Sequence, residues 1–435
     1  MKKLALLLAL TSAMIVSCSQ GGNTKPKSTY RIDCTTSITE VPIEYYVDVQ
    51  YSLSDFDKSS FTFNKSIALL SLAASLKAND KTQLQTFYTA IGFSGIVYSA
   101  DYDLPDDKDA VKFTMAHYET SKYHLVSVVA NGTSYEKPWE SNFIIGAEGD
   151  ATGFATGAEK VLAGIRNYIA PFSDKQVKLW LIGYSRTGAI ADIAAYRLID
   201  DNTIKEENMF AYTFEAPQAV SSTNTKEYKS IFNILNSGDL VTHVAPSKYG
   251  LKRIGKDIDL YSKNIDKYLK QVDNRFRITS YKQDSSYANE SEMVELLLNA
   301  MSKKMSDPSI HDMSTRENYY QFFEGNVSFL IGLFMTLKSS TVKQITTALS
   351  NMQTYEYIYL LQEDGMYKFL KPILDNNSEV YDDAKLKEST NTLATLAANN
   401  AELLSFAMNA SSRNNLQRSI SFHYLEVGLV LLNRY

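Results

Sequence analysis

Residues 179–198 read LWLIGYSRTGAIADIAAYRL. Four apolar residues lead into Gly183-Tyr184-Ser185-Arg186-Thr187-Gly188, after which Ala, Ile and Leu recur at helical spacing. An apolar strand, a sharp turn and a helix in this order lift the serine at the turn out of the chain's path. A glycine two residues before the serine permits the turn, and a small residue two after it lets helix and strand approach. Gly183 meets the first demand. Thr187 meets the second only in part and crowds the turn, with Gly188 one position late. A serine hydroxyl so presented reacts only with a general base in reach, a group to orient that base, and donors for a developing oxyanion.

Working outward, residues 29–53 are rich in Thr, Ile, Val and Tyr and predict strands. Residues 61–90 turn helical, with Ile67, Leu70, Leu72 and Leu76 near helical spacing. VKFTMAHYE (111–119) and YHLVSVVAN (123–131) read as strands joined by a tight turn. TGAEKVLAGIRNYIA (156–170) reads as an amphipathic helix, and VKLWLIG, MFAYTFEAP and SIFNILNSG as further strands. Strands alternating with helices predict an α/β fold with a mostly parallel sheet. Residues 262–415 are rich in Leu and Met without a convincing strand, and predict a large helical cap insertion. Within it VSFLIGLFMTL is eleven residues, the length of a core helix and not of a membrane span.

GYSRTGAIADIAAYRL resembles the G-[HY]-S-x-G-G-A-x-A turn of the lipase class 3 family, in the form with Arg after the serine. HLVSVVANGTSYEKPWESNF is similar to that family's strand ending in Gly-Thr, with Gly132, Thr133, Trp139 and Asn142 at the matching positions. AYTFEAPQAV resembles its TFGAPRV strand, and IFNILNSGDLVTHVAP its VVNxxDxVPxLPP segment. The resemblance spans about residues 115–260, with a short return near the C-terminus, and implies an α/β-hydrolase fold. It implies a serine hydrolase of carboxylic esters, acting on acylglycerols or other lipid esters, with no cofactor. By it Ser185 is the nucleophile, Asp239 the acid, and the backbone N–H groups of Thr133 and Arg186 the oxyanion hole. Asp239 also follows a predicted strand, as such an acid does.

Five histidines are candidates for the base. His117 and His124 precede the serine on predicted strands, His243 lies four residues after Asp239 in the same loop, and His311 lies in the helical insertion. His423, in SISFHYLEV, stands near the C-terminus where the family keeps its base, and is the first choice, with His243 in reserve. Glu215 replaces the small residue of TFGAP and reads either as a buried ion-pair partner of Arg186 or as an exposed strand end. The Leu/Met/Phe-rich insertion reads equally as an acyl groove or as plain helical core. A rival reading keeps the hydrolase fold as a non-catalytic binding module, with Thr187 and Glu215 as its grounds.

The 435 residues are 44% hydrophobic and 21% charged with a net charge of -5. That composition suits a globular protein and gives no electrostatic reason to expect nucleic acid. No His/Cys/Asp group has metal-ligand spacing. Lys2 and Lys3, the apolar run Leu4–Leu10 and the sequence IVSC up to Cys18 read as a signal segment over 1–17. IVSC resembles a bacterial lipobox, which implies a lipidated (palmitate-bearing) Cys18 in the cell envelope, facing outward; the alternative is an ordinary secretory signal. Residues 18–28 then form a tether, 29–261 the hydrolase core, 262–415 the cap, and 416–435 the return that carries His423. With Cys18 lipidated, Cys34 has no disulfide partner and is a packed residue.

Overall fold

A computed structural model describes residues 28–33, 46–103, 110–131, 141–142, 144–261, 290–305, 313–322, 326–408, 419 and 422–435. The strands are β1 (Ser28–Asp33), β2 (Tyr46–Tyr51), β3 (Ser94–Tyr98), β4 (Phe113–Glu119), β5 (Tyr123–Ala130), β6 (Gln176–Tyr184), β7 (Met209–Phe214), β8 (Val220–Ser221), β9 (Ile231–Leu235), β10 (Leu251–Lys252) and β11 (Lys256–Asp259). Seven of them form one sheet in the order β11-β9-β7-β6-β5-β4-β3. From β11 to β5 neighbours run parallel, and β4 and β3 complete an antiparallel edge. β1 and β2 pair separately, as do β8 and β10.

Both faces of the sheet are covered, which is why its central strands are apolar throughout and do not alternate. On β6, Trp180 and Ile182 join the core cluster under α1 (Lys65–Lys77) and α2 (Lys81–Ala90). Leu179 and Leu181 join the cluster under α3 (Thr152–Ile169) and α4 (Arg186–Asp200). The indole of Trp180 is fully buried and satisfies its N–H on Ser71 Oγ at 2.8 Å. The helical stretch expected over 61–90 is two helices, because Asp80 caps a new one by accepting from the N–H groups of Thr82 and Gln83.

β3 and β11 escape the sequence reading for one reason. Both are sheet edges, largely solvent-exposed, so SGIVY has only three apolar residues in a row and KDID a single one. After β11 the described residues hold helices between Glu290 and Met408 and no strand. Leu330, Leu333, Ile345, Leu370, Leu374 and Leu386 give this part its own small core, while Leu297, Met313, Phe322 and Leu396 pack against the α4 face of the sheet. No described helix is long and apolar enough to cross a membrane. The C-terminal helix Leu425–Arg434 returns to the opposite face, burying Leu425, Val427 and Leu429–Leu432 beside α1.

Candidate active site

The register of the parallel strands builds the site. Tyr184 pairs with Phe214, and Phe214 with Ile234, so β6, β7 and β9 end level with one another. Ser185 follows β6, Glu215 follows β7, and Asn236 to Asp239 follow β9. Carboxyl ends of parallel strands are where an open α/β sheet offers a crevice.

Ser185 sits at φ 54° and ψ −127°, a strained conformation costing on the order of 1–3 kcal/mol. Its N–H is held by Phe214 O at 2.9 Å, and its carbonyl starts α4 by accepting from Gly188 N at 2.9 Å. A Cβ on Gly183 would lie 2.2 Å from Thr187 O, so no larger residue fits there. The close approach of helix and strand falls to Gly188, whose added Cβ would meet Ala216 Cβ at 2.9 Å.

Thr187 does not crowd the turn. It is fully buried, and its Oγ1 accepts from Tyr184 N at 3.2 Å and lies 3.1 Å from Ala130 O and 2.9 Å from Tyr184 O. The hydroxyl thus ties the turn to the end of β5. A glycine there would remove the tie, contrary to the expectation that the threonine is an obstacle.

His423 Nε2 lies 2.8 Å from Ser185 Oγ, and His423 Nδ1 lies 2.7 Å from Asp239 Oδ2. The Asp239 side chain is wholly buried and that of His423 is 16% exposed. An ionised carboxylate only accepts, so Nδ1 carries the imidazole proton and Nε2 accepts from the serine hydroxyl. Asp239 Oδ1 accepts from Val241 N at 2.9 Å, which fixes the carboxylate plane. Three residues, Tyr184, Phe422 and Ser419, hold the histidine and the segments that meet at it. Tyr184 stacks on its ring at 5.2 Å between centroids and donates its hydroxyl to His423 O at 2.8 Å. Phe422, fully buried, packs over Gly238, and Ser419 Oγ donates to Gly238 O at 2.5 Å.

Of the other expected groups, Arg186 is the first residue of α4. Its guanidinium is buried and bonds Ala110 O at 3.1 Å and Ser141 Oγ at 2.9 Å. Arg186 makes no ion pair with Glu215, and Glu215 is not an exposed strand end: it is buried, and its Oε2 accepts from Asn236 N at 3.0 Å. Burial and the neighbouring Asp239 push its carboxyl well above the ordinary carboxylate range. Thr133, Gly132, Trp139, His311, Cys18 and Cys34 lie outside the described residues. His243 is bound elsewhere, with Nε2 2.8 Å from Ser237 O. His117 is bonded to Tyr168 Oη through Nδ1, and His124 to Asp174 through Nε2 at 2.9 Å.

Glu119, His124 and Asp174 come together at the other end of the sheet, a grouping that sequence spacing did not reveal. The Lys175 ammonium bridges Glu119 and Asp174 there, so a cation already balances both carboxylates.

The mostly parallel seven-stranded sheet with helices on both faces is the α/β-hydrolase-like fold expected from the sequence. Residues 117–249 match the model of the family Lipase (class 3), a span that includes Ser185 and Asp239 and stops short of His423. The family resemblance read from the sequence over about residues 115–260 thus coincides with the segment that this model matches. Solved structures similar to it include the triacylglyceride lipase of Rhizomucor miehei at 13% identity, TM-score 0.34, covering 49% of this chain and 83% of that one. Lipase II from Rhizopus niveus matches at 15% identity, TM-score 0.34, covering 48% and 83%. The lipase of Rhizopus microsporus var. chinensis matches at 14% identity, TM-score 0.32, covering 54% and 82%. No curated protein sequence matches.

Proposed function

We propose that this protein hydrolyses carboxylic esters of lipids through an acyl-enzyme on Ser185, with His423 as general base and acid and Asp239 as the group that orients it. The observation that carries this reading is the unbroken line from Ser185 Oγ to His423 to buried Asp239, at 2.8 and 2.7 Å. As Ser185 Oγ attacks the ester carbonyl, its proton passes to His423 Nε2. The N–H groups of Arg186 and Thr133 receive the oxyanion, the former aided by the positive end of α4. Collapse breaks the ester C–O bond, and the imidazolium protonates the departing alkoxide. Water, deprotonated by His423, then releases the carboxylic acid and restores the serine. None of these steps calls on a cofactor or metal.

The N-terminal pattern supports a further part of the proposal: lipid on Cys18 holds the enzyme to an envelope membrane, within reach of ester lipids. The insertion between Asp239 and His423 supplies the apolar wall against which an acyl chain lies.

Two experiments test this. A fluorophosphonate probe should label the wild-type protein and not Ser185→Ala; a folded wild type that neither takes the probe nor cleaves a short-chain ester would overturn the reading. An alkynyl fatty acid fed to producing cells should tag the wild type but not Cys18→Ala, which should appear in the soluble fraction. Equal tagging of both would remove the anchor.

A further inference from the structure

Glu215 is a buried carboxyl that the proposed reaction does not use. It occupies on β7 the place that Ser185 occupies on β6. The N–H of Ser185 bonds Phe214 O at 2.9 Å, and the N–H of Glu215 bonds Ile234 O at 3.0 Å. Both backbones then turn to positive φ, 54° and 46°. That conformation disfavours a side chain such as glutamate. The turn brings the Glu215 carboxyl to the end of β9, where Oε2 accepts from Asn236 N at 3.0 Å and the Asp239 carboxyl is the neighbouring charge that acts on it most.

A hydrogen bond between two carboxyls needs a proton, because two carboxylates have acceptors only. Like charges in contact and out of water do not both stay ionised. The partners decide which group keeps the proton. Asp239 already accepts two hydrogen bonds, from His423 Nδ1 at 2.7 Å and from Val241 N at 2.9 Å. Glu215 accepts a single backbone N–H, and no described basic side chain forms an ion pair with it. The charged groups that act on it are Asp239, itself bound to His423, and Arg253. The Arg253 guanidinium is engaged by Asp257 and by the carbonyls of Ala216 and Thr242.

We infer that Glu215 is a protonated positioning residue, donating its carboxyl O–H to Asp239 and thereby fixing the carboxylate that orients His423. The inference rests on reading Ser185, His423 and Asp239 as the reacting groups. The arrangement adds a donor to Asp239 without adding a charge to the site. It also links the ends of β7 and β9 through Asn236, so the acid is held by the sheet and not by its loop alone.

Glu215→Gln and Glu215→Ala in the full chain provide the test. The glutamine keeps both roles, with amide nitrogen donating to Asp239 and amide oxygen accepting from Asn236. At neutral pH the infrared difference spectrum, wild type minus Glu215→Gln, should contain a protonated-carboxyl carbonyl band. On a water-soluble short-chain ester, Glu215→Gln should keep kcat within about threefold of wild type. Glu215→Ala should lose about 10–100-fold in kcat with KM little changed, the scale of losing a group that orients a site residue. The Nδ1 proton resonance of His423 should move in the alanine variant and stay in the glutamine one. A carboxylate band in place of the acid band would overturn the inference, as would full kcat in a folded Glu215→Ala. If alanine prevents folding, the infrared band and the activity of Glu215→Gln decide alone. Should the wild type neither take the fluorophosphonate nor hydrolyse esters, the proposed function fails, while the infrared spectrum still tells whether the carboxyls share a proton.

Discussion

Two histidine–aspartate pairs stand at opposite ends of the same sheet, and only one of them faces a serine. His423 binds Asp239 through Nδ1 at 2.7 Å, and its Nε2 is turned to Ser185. His124 binds Asp174 through Nε2 at 2.9 Å, and its Nδ1 is buried with no partner. The Asp239 side chain is fully buried, whereas that of Asp174 is 60% exposed and shares Lys175 with Glu119. His124 stacks flat on Phe172 at 4.4 Å, as a packed ring of the β4–β5 hairpin. A His–Asp contact is therefore no site by itself. What separates the two is which nitrogen the acid takes, whether water and a lysine share the acid, and whether a strained turn presents a serine hydroxyl at the other nitrogen.

The largest break in this comparison should come from Ser185→Ala or His423→Ala, each lowering ester kcat at least about 10³-fold. Alanine at His124 should change kcat by less than about threefold and cost about 1–3 kcal/mol of stability through lost packing on Phe172. Chemical denaturation beside a pH-stat assay reads both; a His124→Ala enzyme as dead as His423→Ala would erase the distinction. Asp239→Asn should lower kcat about 10²–10⁴-fold by favouring the wrong tautomer. Asp174→Asn should leave hydrolysis intact, and comparable loss in both would show that burial of the acid is not what matters.

Thr187→Gly, which removes the tie between the turn and β5, should cost about 1–3 kcal/mol of stability and lower kcat up to about tenfold. Thr187→Ser, keeping the hydroxyl, should recover most of each. Higher turnover in the glycine variant would restore the view of Thr187 as an obstacle. The smallest effect concerns Glu215. Its folded-state pKa stands above its ordinary value of 4.5, so its contribution to stability is complete below that pH and is lost as pH rises through the raised value. Glu215→Gln, which has no such loss, should have the higher unfolding midpoint at neutral pH and no advantage under acid conditions. A midpoint difference independent of pH would mean that Glu215 does not titrate in this way.

Much of the central sheet was legible because buried parallel strands are continuous apolar runs: VKLWLIG, MFAYTF and IFNIL stand out against any background. The exposed edges β3 and β11 were not, since an edge strand has no such composition. The serine turn was legible from Gly183, Ser185 and the helix that follows. The choice of His423 over His243 rested on family order; in the fold, His243 Nε2 is taken up by Ser237 O, six residues away in its own loop. The bonding of Thr187 and Glu215 was not legible because each depends on a neighbour distant in sequence, Ala130 at the end of β5 in one case and Asn236 just after β9 in the other.

The sequence by itself determined the alternation of strands and helices, the glycine that permits the turn, and the short set of groups with hydrolytic chemistry. Those properties are local: periodicity, backbone freedom and side-chain type are present in any short window of chain. The tertiary structure alone decided which His–Asp pair meets a serine, that Thr187 braces the turn, and that Glu215 touches Asp239. Those contacts join residues up to 238 positions apart. They depend on the level ending of β6, β7 and β9 and on the C-terminal helix packing beside α1, and strand register and helix docking are fixed only when the whole core closes.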